Sequence, residues 1–100
     1  MSETVYELNG TILTVKPSGE LDSMTSPAFE AEVRKHLTGV SGVIVDFEKV
    51  DYISSAGLRV LLALQSTLEN QGAEMKLIHV NDPIMEIFEM VGFLDVIKVE

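Results

Sequence analysis

The run Gly42-Val-Ile-Val-Asp-Phe47 constrains the fold more than any other stretch of this 100-residue chain. It is strand-length, β-branched and almost continuously apolar, the pattern of a strand covered on both faces, so it is expected to be the central strand of a sheet. The segments on either side alternate in period. Thr4 to Leu8 and Thr11 to Val15 read as two strands, and the Asn-Gly pair at Asn9 and Gly10 between them is a hairpin signal.

Three stretches then read as helices. Ser26 followed by Pro27 is expected to supply an N-cap and a first helical position, with Phe29, Val33 and Leu37 recurring every fourth residue. After the central strand, Ser54 or Ser55 is expected to cap a second helix with Leu58, Leu61, Leu62, Gln65 and Leu68 on one stripe, ending at Gln71 and Gly72. Ala73 to Val80 reads as a strand, and Asp82-Pro83 opens a third helix carrying Ile84, Ile87, Phe88 and Val91, which Gly92 ends. Asp95 to Val99 is a short last strand. The predicted order is ββαβαβαβ, an α/β domain with a hairpin followed by mainly parallel strands joined by right-handed crossovers. Leu58, Leu61, Phe88 and Val45 are expected in the core.

Composition restricts the functions open to such a domain. Hydrophobic residues make up 46% of the chain, which suits an ordered core. There is no cysteine, which removes disulfides and thiolate metal sites. No apolar run approaches the roughly 20 residues of a spanning helix, and no leader pattern opens the chain, so a single soluble cytoplasmic domain over residues 1–100 is expected. The formal charge of −9 opposes binding to nucleic acid or to an anionic membrane and favours a protein partner.

Few residues suggest chemistry. His36 and His79 are isolated in sequence and read as surface or rim residues, with no metal-ligand spacing, no nucleophile elbow and no phosphate loop, so neither an enzyme nor a cofactor is expected. The serines at Ser54 and Ser55 stand out because they mark a strand-to-helix junction. Capping the helix accounts for a serine there at about 1 kcal/mol. A phosphate would also be well received at that position, since unpaired amides and the positive end of the helix dipole stabilise an anion.

Taken together, Gly19-Glu-Leu-Asp22, the strand Val43 to Phe47, the junction Tyr52-Ile-Ser-Ser-Ala-Gly-Leu-Arg-Val-Leu-Leu62 and Ile87-Phe-Glu-Met-Val-Gly-Phe93 stand in the order and spacing of the STAS domain. They resemble in particular the bacterial anti-sigma factor antagonists over nearly the whole chain. The resemblance implies a STAS fold, with a mixed sheet of about five strands and three to four helices. It also implies a partner-switching cycle. An anti-sigma factor that is a GHKL-type serine kinase phosphorylates the antagonist, a PP2C-type phosphatase reverses this, and only the unphosphorylated antagonist binds the kinase and frees the sigma factor. The family pattern Asp-Ser-[Ser/Ala]-Gly-Leu, aligned on Gly57 and Leu58, places the phosphorylated serine at Ser55. Ser54 then stands where the family usually has aspartate, and remains the alternative acceptor. Asp22, Ser54, Ser55, Ala56, Gly57 and Arg59 are the implied partner surface, Gly57 by letting the partner approach, on a monomer or weak dimer. Two related readings are a constitutive STAS subunit of a lipid-transport ATPase and a STAS regulator of a secretion or other signalling pathway.

Overall fold

A computed structural model describes residues 4–100. Strands β1 (Val5–Asn9) and β2 (Ile12–Lys16) form the expected antiparallel hairpin. Asn9 is itself paired, with Ile12, so the two-residue loop is Gly10-Thr11, one position beyond the Asn-Gly pair, and Gly10 takes the left-handed conformation at φ 64°. The chain continues through β3 (Ser18–Leu21), α1 (Ser26–Arg34), β4 (Gly42–Asp46), β5 (Lys49–Ile53), α2 (Ser55–Asn70), β6 (Glu74–Ile78), α3 (Asp82–Met90), a 3₁₀ turn (Phe93–Asp95) and β7 (Lys98–Val99).

The main sheet has the order β1-β2-β4-β6-β7, and every pairing except the hairpin is parallel. The Gly42–Asp46 run is its middle strand, as its composition requires. A second, two-stranded parallel sheet pairs β3 with β5. Neither of these strands is in the predicted order, where both fall in loops.

Burial alternates along the strands. Leu13, Val15, Val43, Val45, Met75 and Leu77 are buried, whereas Thr14, Ile44, Lys76 and Ile78 between them are only half-buried. The core therefore lies mainly on one face of the sheet; the middle strand is covered on both faces as expected at Gly42 and Asp46, with Ile44 between them half-buried. Phe88 of α3 meets Phe47 edge-on at 6.3 Å between ring centroids and stacks on Phe93 at 4.7 Å, which fixes α3 and the following turn against the strand end.

The inward stripe of α2 differs from the leucine count. Gly57, Val60, Leu61, Leu64 and Leu68 are buried, whereas Leu62 is exposed and Leu58 and Gln65 are half-buried. The stripe keeps the i, i+3, i+4, i+7 spacing but starts from glycine, which a search for leucines passes over. Of the four core residues expected, Val45, Leu61 and Phe88 are buried and Leu58 is not fully so. Val91, counted on the inner stripe of α3, is exposed for the same kind of reason: it lies past the last turn, where Gly92 at φ 73° swings the chain away.

Gly57 has a specific cause. A Cβ there would lie 2.6 Å from Ile53 Cγ1, 2.7 Å from the Leu21 carbonyl oxygen and 3.1 Å from Leu21 Cβ. The space left by its missing side chain is thus filled by β3 and β5 of the same chain and is not open to a partner, which corrects the expected role of this glycine. Alanine normally favours a helix interior over glycine by about 1 kcal/mol. Here the backbone clash should reverse the sign, and Gly57→Ala should destabilise the fold by about 1–3 kcal/mol. Chemical denaturation checks this, and a variant as stable as wild type would show that α2 does not sit this close to β3.

Candidate functional site

The site is built where β3 and β5 end side by side. Their pairing shifts register between Gly19 and Glu20 and finishes with Leu21 opposite Ile53. One residue later the Ser54 amide donates to the Leu21 carbonyl at 2.9 Å, and the Ser54 hydroxyl points at the same oxygen, 3.4 Å away. Ser54 has extended backbone angles, and its own carbonyl accepts the first bond of α2 from the Leu58 amide at 3.0 Å. It is the N-cap residue by position, but its side chain caps nothing. The expected capping role is therefore replaced by a tie to β3.

Ser55 is the first residue of α2 and is exposed. Its hydroxyl makes no side-chain hydrogen bond among the described residues. With no side-chain cap and no acidic residue in the first turn, that end of the helix carries its partial positive charge uncompensated. Arg59 is exposed one turn further along α2. Together with Ser26, Pro27, Glu30, Ala56, Val60 and Ala63 it lines a shallow groove of about 330 Å³ between α1 and α2.

Asp22 follows the Leu21 carbonyl directly. Its carboxylate accepts from the amides of Met24 and Thr25, at 2.9 and 3.0 Å. The Thr25 hydroxyl donates to the Glu20 carbonyl at 2.6 Å and accepts from the Asp22 amide at 3.0 Å. The loop thus closes on itself, and Met24 at its tip is 85% exposed. Because Asp22 already takes up the amides before α1, Ser26 is not the N-cap expected of it: Thr25 holds that position, and Ser26 is the first helical residue, buried, with its hydroxyl unpaired. The Thr25 and then the Met24 amide hold the Asp22 carboxyl below its ordinary value.

Two further features go beyond the sequence reading. Asn81 caps α3 by accepting from the Ile84 amide at 2.9 Å, and its side-chain nitrogen donates to the Val50 carbonyl at 3.2 Å, tying α3 to β5. Asparagine two residues ahead of Pro83 was the available signal. Asp46, at the end of β4, meets His79, 33 residues away, at 2.9 Å, and also accepts from the Glu48 amide at 2.9 Å. Burial would raise the Asp46 carboxyl, but the Glu48 amide and the His79 ring outweigh it and lower it. His79 is exposed, as expected, and is the only non-glycine residue with positive φ, 58°, among those described. Asp46, Glu48 and His79 place potential ligand atoms within 4.8 Å of one another, an arrangement that their spacing in the sequence does not suggest.

The Asp22 turn has a pH signature. A carboxyl whose folded pKa is lowered contributes stability that is present above its unfolded value and lost as pH falls through the folded one. Stability should therefore fall as the solution is acidified below about 3.8, the ordinary aspartate value. Asp22→Asn should flatten that part of the profile, as measured by denaturant midpoints between pH 7 and 3. An unchanged slope would remove Asp22 from the set of stabilising carboxylates.

With this geometry in hand, similarity to known proteins is informative. The sequence profile of the STAS domain matches residues 3–100. BtrV of Bordetella bronchiseptica, assigned as an anti-sigma factor antagonist, is 32% identical over 99% of this chain and 85% of its own length. The anti-sigma-B factor antagonist of Staphylococcus aureus is 31% identical over 85% of this chain and 80% of its own. In fold, an anti-sigma factor antagonist from Mycobacterium paratuberculosis superposes with a TM-score of 0.88 at 20% identity, covering 99% of this chain and 85% of that one. Phosphorylated Bacillus SpoIIAA superposes at 0.75 and 18% identity, covering 98% and 91%. By profile, by relatives and by fold alike, this chain belongs to the STAS domain family, as a member of the anti-sigma factor antagonist type.

Proposed function

We infer that this chain is an anti-sigma factor antagonist that works by partner switching, with Ser55 as the phosphorylated residue. The single observation that carries the choice of acceptor is the contrast between the two serines. Ser54 is half-buried, with its hydroxyl turned onto the Leu21 carbonyl, whereas Ser55 is exposed at the first position of α2 and its hydroxyl is free to be presented to a kinase. The relatives named as antagonists support the role, and SpoIIAA, solved in both unphosphorylated and phosphorylated forms, supports the modification.

In this reading the partner is an anti-sigma factor that is also a GHKL-type serine kinase, and a PP2C-type phosphatase resets the switch in the cytoplasm. Asp22, Met24, Ser55, Ala56 and Arg59 form the docking face, and Ser54 and Gly57 hold it from behind. No helix among the described residues is long and apolar enough to cross a membrane. The role is regulatory, as the family's is, and asks for no catalytic group in this chain.

The physics of the switch is local. A phosphate adds about −1.5 to −2 charges. At the start of a helix it is stabilised by about 0.3–1 kcal/mol, so the fold should tolerate it. A partner shaped for a neutral hydroxyl must instead desolvate a dianion, and about 3 kcal/mol lost there weakens binding more than a hundredfold.

Incubation with the cognate kinase and ATP, followed by mass spectrometry, should find one phosphate on Ser55, absent from Ser55→Ala and kept in Ser54→Ala. Ser55→Asp should bind the unmodified protein's partner at least tenfold more weakly at an unchanged Tm. Phosphate on Ser54 instead, or a Ser55→Asp protein that binds like wild type, would overturn the assignment. Absence of phosphate from both serines would favour a constitutive subunit.

A further inference from the structure

We propose that Arg59 captures the phosphate of phosphorylated Ser55, so that the modification removes a positive charge from the docking face as well as adding a negative one. This rests on Ser55 being the acceptor and specifies how its phosphate is held.

Position comes first. Ser55 and Arg59 are both exposed, four residues apart in the 16-residue helix α2. Residues at that spacing are neighbours on one face, with Cβ atoms about 5–6 Å apart. Side chains of a helix lean toward its N-terminus, so the long Arg59 side chain can reach back to the turn that Ser55 begins.

Availability is the second observation. Lys16 is paired with Glu7, Arg34 with Glu30, Lys35 with Glu32, and Lys76 and Lys98 with Glu100. Among the described residues this leaves Lys49 and Arg59 as the cations without an ion pair. Glu30 is the carboxylate lining the groove beside Arg59, and Arg34 already holds it through two contacts, at 2.8 and 2.9 Å, while also donating to Thr67 at 2.8 Å. In a chain with 16 acidic residues, an arginine left unpaired beside the modifiable serine is the exception. Lys49 opens β5, whose far end leads into Ser54, so it lies about 13 Å of strand away from the junction.

Chemistry then favours the pairing. A guanidinium offers two parallel N–H donors that match two phosphate oxygens, a geometry that lysine lacks. The uncapped first turn of α2 contributes its amides from the other side. The paired phosphate lies along the helix, and a partner that met an exposed arginine now meets an anion with its nearest cation already engaged.

The test uses the full chain with phosphoserine installed at position 55 during translation, so it does not depend on any kinase. The second ionisation of the phosphate is followed by ³¹P NMR at about 0.15 M ionic strength in the otherwise wild-type protein and in Arg59→Ala, Arg59→Lys and Lys49→Ala. A neighbouring cation favours the dianion and lowers its pKa, so Arg59→Ala should raise it by roughly 0.3–0.7 of a unit. Arg59→Lys should recover part of that shift, and Lys49→Ala should move the value by less than about 0.1, since screening acts within about 8 Å. A phosphate that titrates identically with arginine or alanine at position 59, or that responds equally to Lys49→Ala, would overturn the capture. Failure of the acceptor assignment itself would show separately, as a kinase that leaves Ser55 unmodified.

Discussion

The arrangement of the site depends on one carbonyl group. The Leu21 oxygen ends the short parallel pairing of β3 with β5, accepts from the Ser54 amide at 2.9 Å, and lies where any side chain at position 57 would have to go. Those contacts set the height and the rotation of the first turn of α2. With Gly57 pressed inward, Ser55 two residues earlier faces outward. The buried stripe of Val60, Leu61, Leu64 and Leu68 then holds the rest of the helix in the same rotation, with Leu61 alone contributing about 1.5–3 kcal/mol through burial. An exposed hydroxyl is thus presented by a helix start that the sheet holds in place, instead of by a loop.

Charge works on top of this support. The chain carries a formal charge of −9, yet the first turn of α2 has no acidic residue, and Arg59 on the next turn has no counter-ion among the described residues. Asp22, close in sequence to the Leu21 contact, spends its carboxylate on two amides of its own loop, so its charge is already compensated locally. The first turn of α2 therefore offers an anion its unpaired amides and a nearby guanidinium, with no carboxylate of its own to oppose it.

Strong periodicity made most of the fold legible in the sequence. The hairpin, the middle strand and all three helices lie where alternation, β-branching and the 3.6-residue repeat put them. Leu37, expected on the first helix, nevertheless lies beyond its end at Arg34, and the last strand, expected over Asp95 to Val99, is confined to Lys98–Val99 because Phe93–Asp95 form a 3₁₀ turn. β3 escaped because it contains Gly19, at φ 81°, beside a register shift, and β5 because its apolar residues do not alternate. Lys49–Ile53 did carry a signal, since Val50 and Ile53 are buried while Lys49, Asp51 and Tyr52 are exposed, but an uneven spacing of two apolar residues is weak evidence for a strand. At the site, the junction and its serines could be read directly. Which serine is presented could not, because the group that decides it, the Leu21 carbonyl, lies 33 residues from Ser54. The Asp46–His79 pair is equally long-range and equally invisible to local spacing.

The central claim is that the support under Ser55 is the same before and after phosphorylation, so that the switch lies entirely in the surface. Amide hydrogen exchange measured by NMR tests this most directly, at Ser54, whose N–H is held by Leu21, and at Leu58, whose N–H is held by Ser54. Compared between protein with serine and with phosphoserine at position 55, both amides should keep their protection to within about threefold, a difference of roughly 0.6 kcal/mol. Exchange at either amide accelerated tenfold or more by the phosphate would mean that the helix start opens on modification, and would contradict a switch made by charge alone.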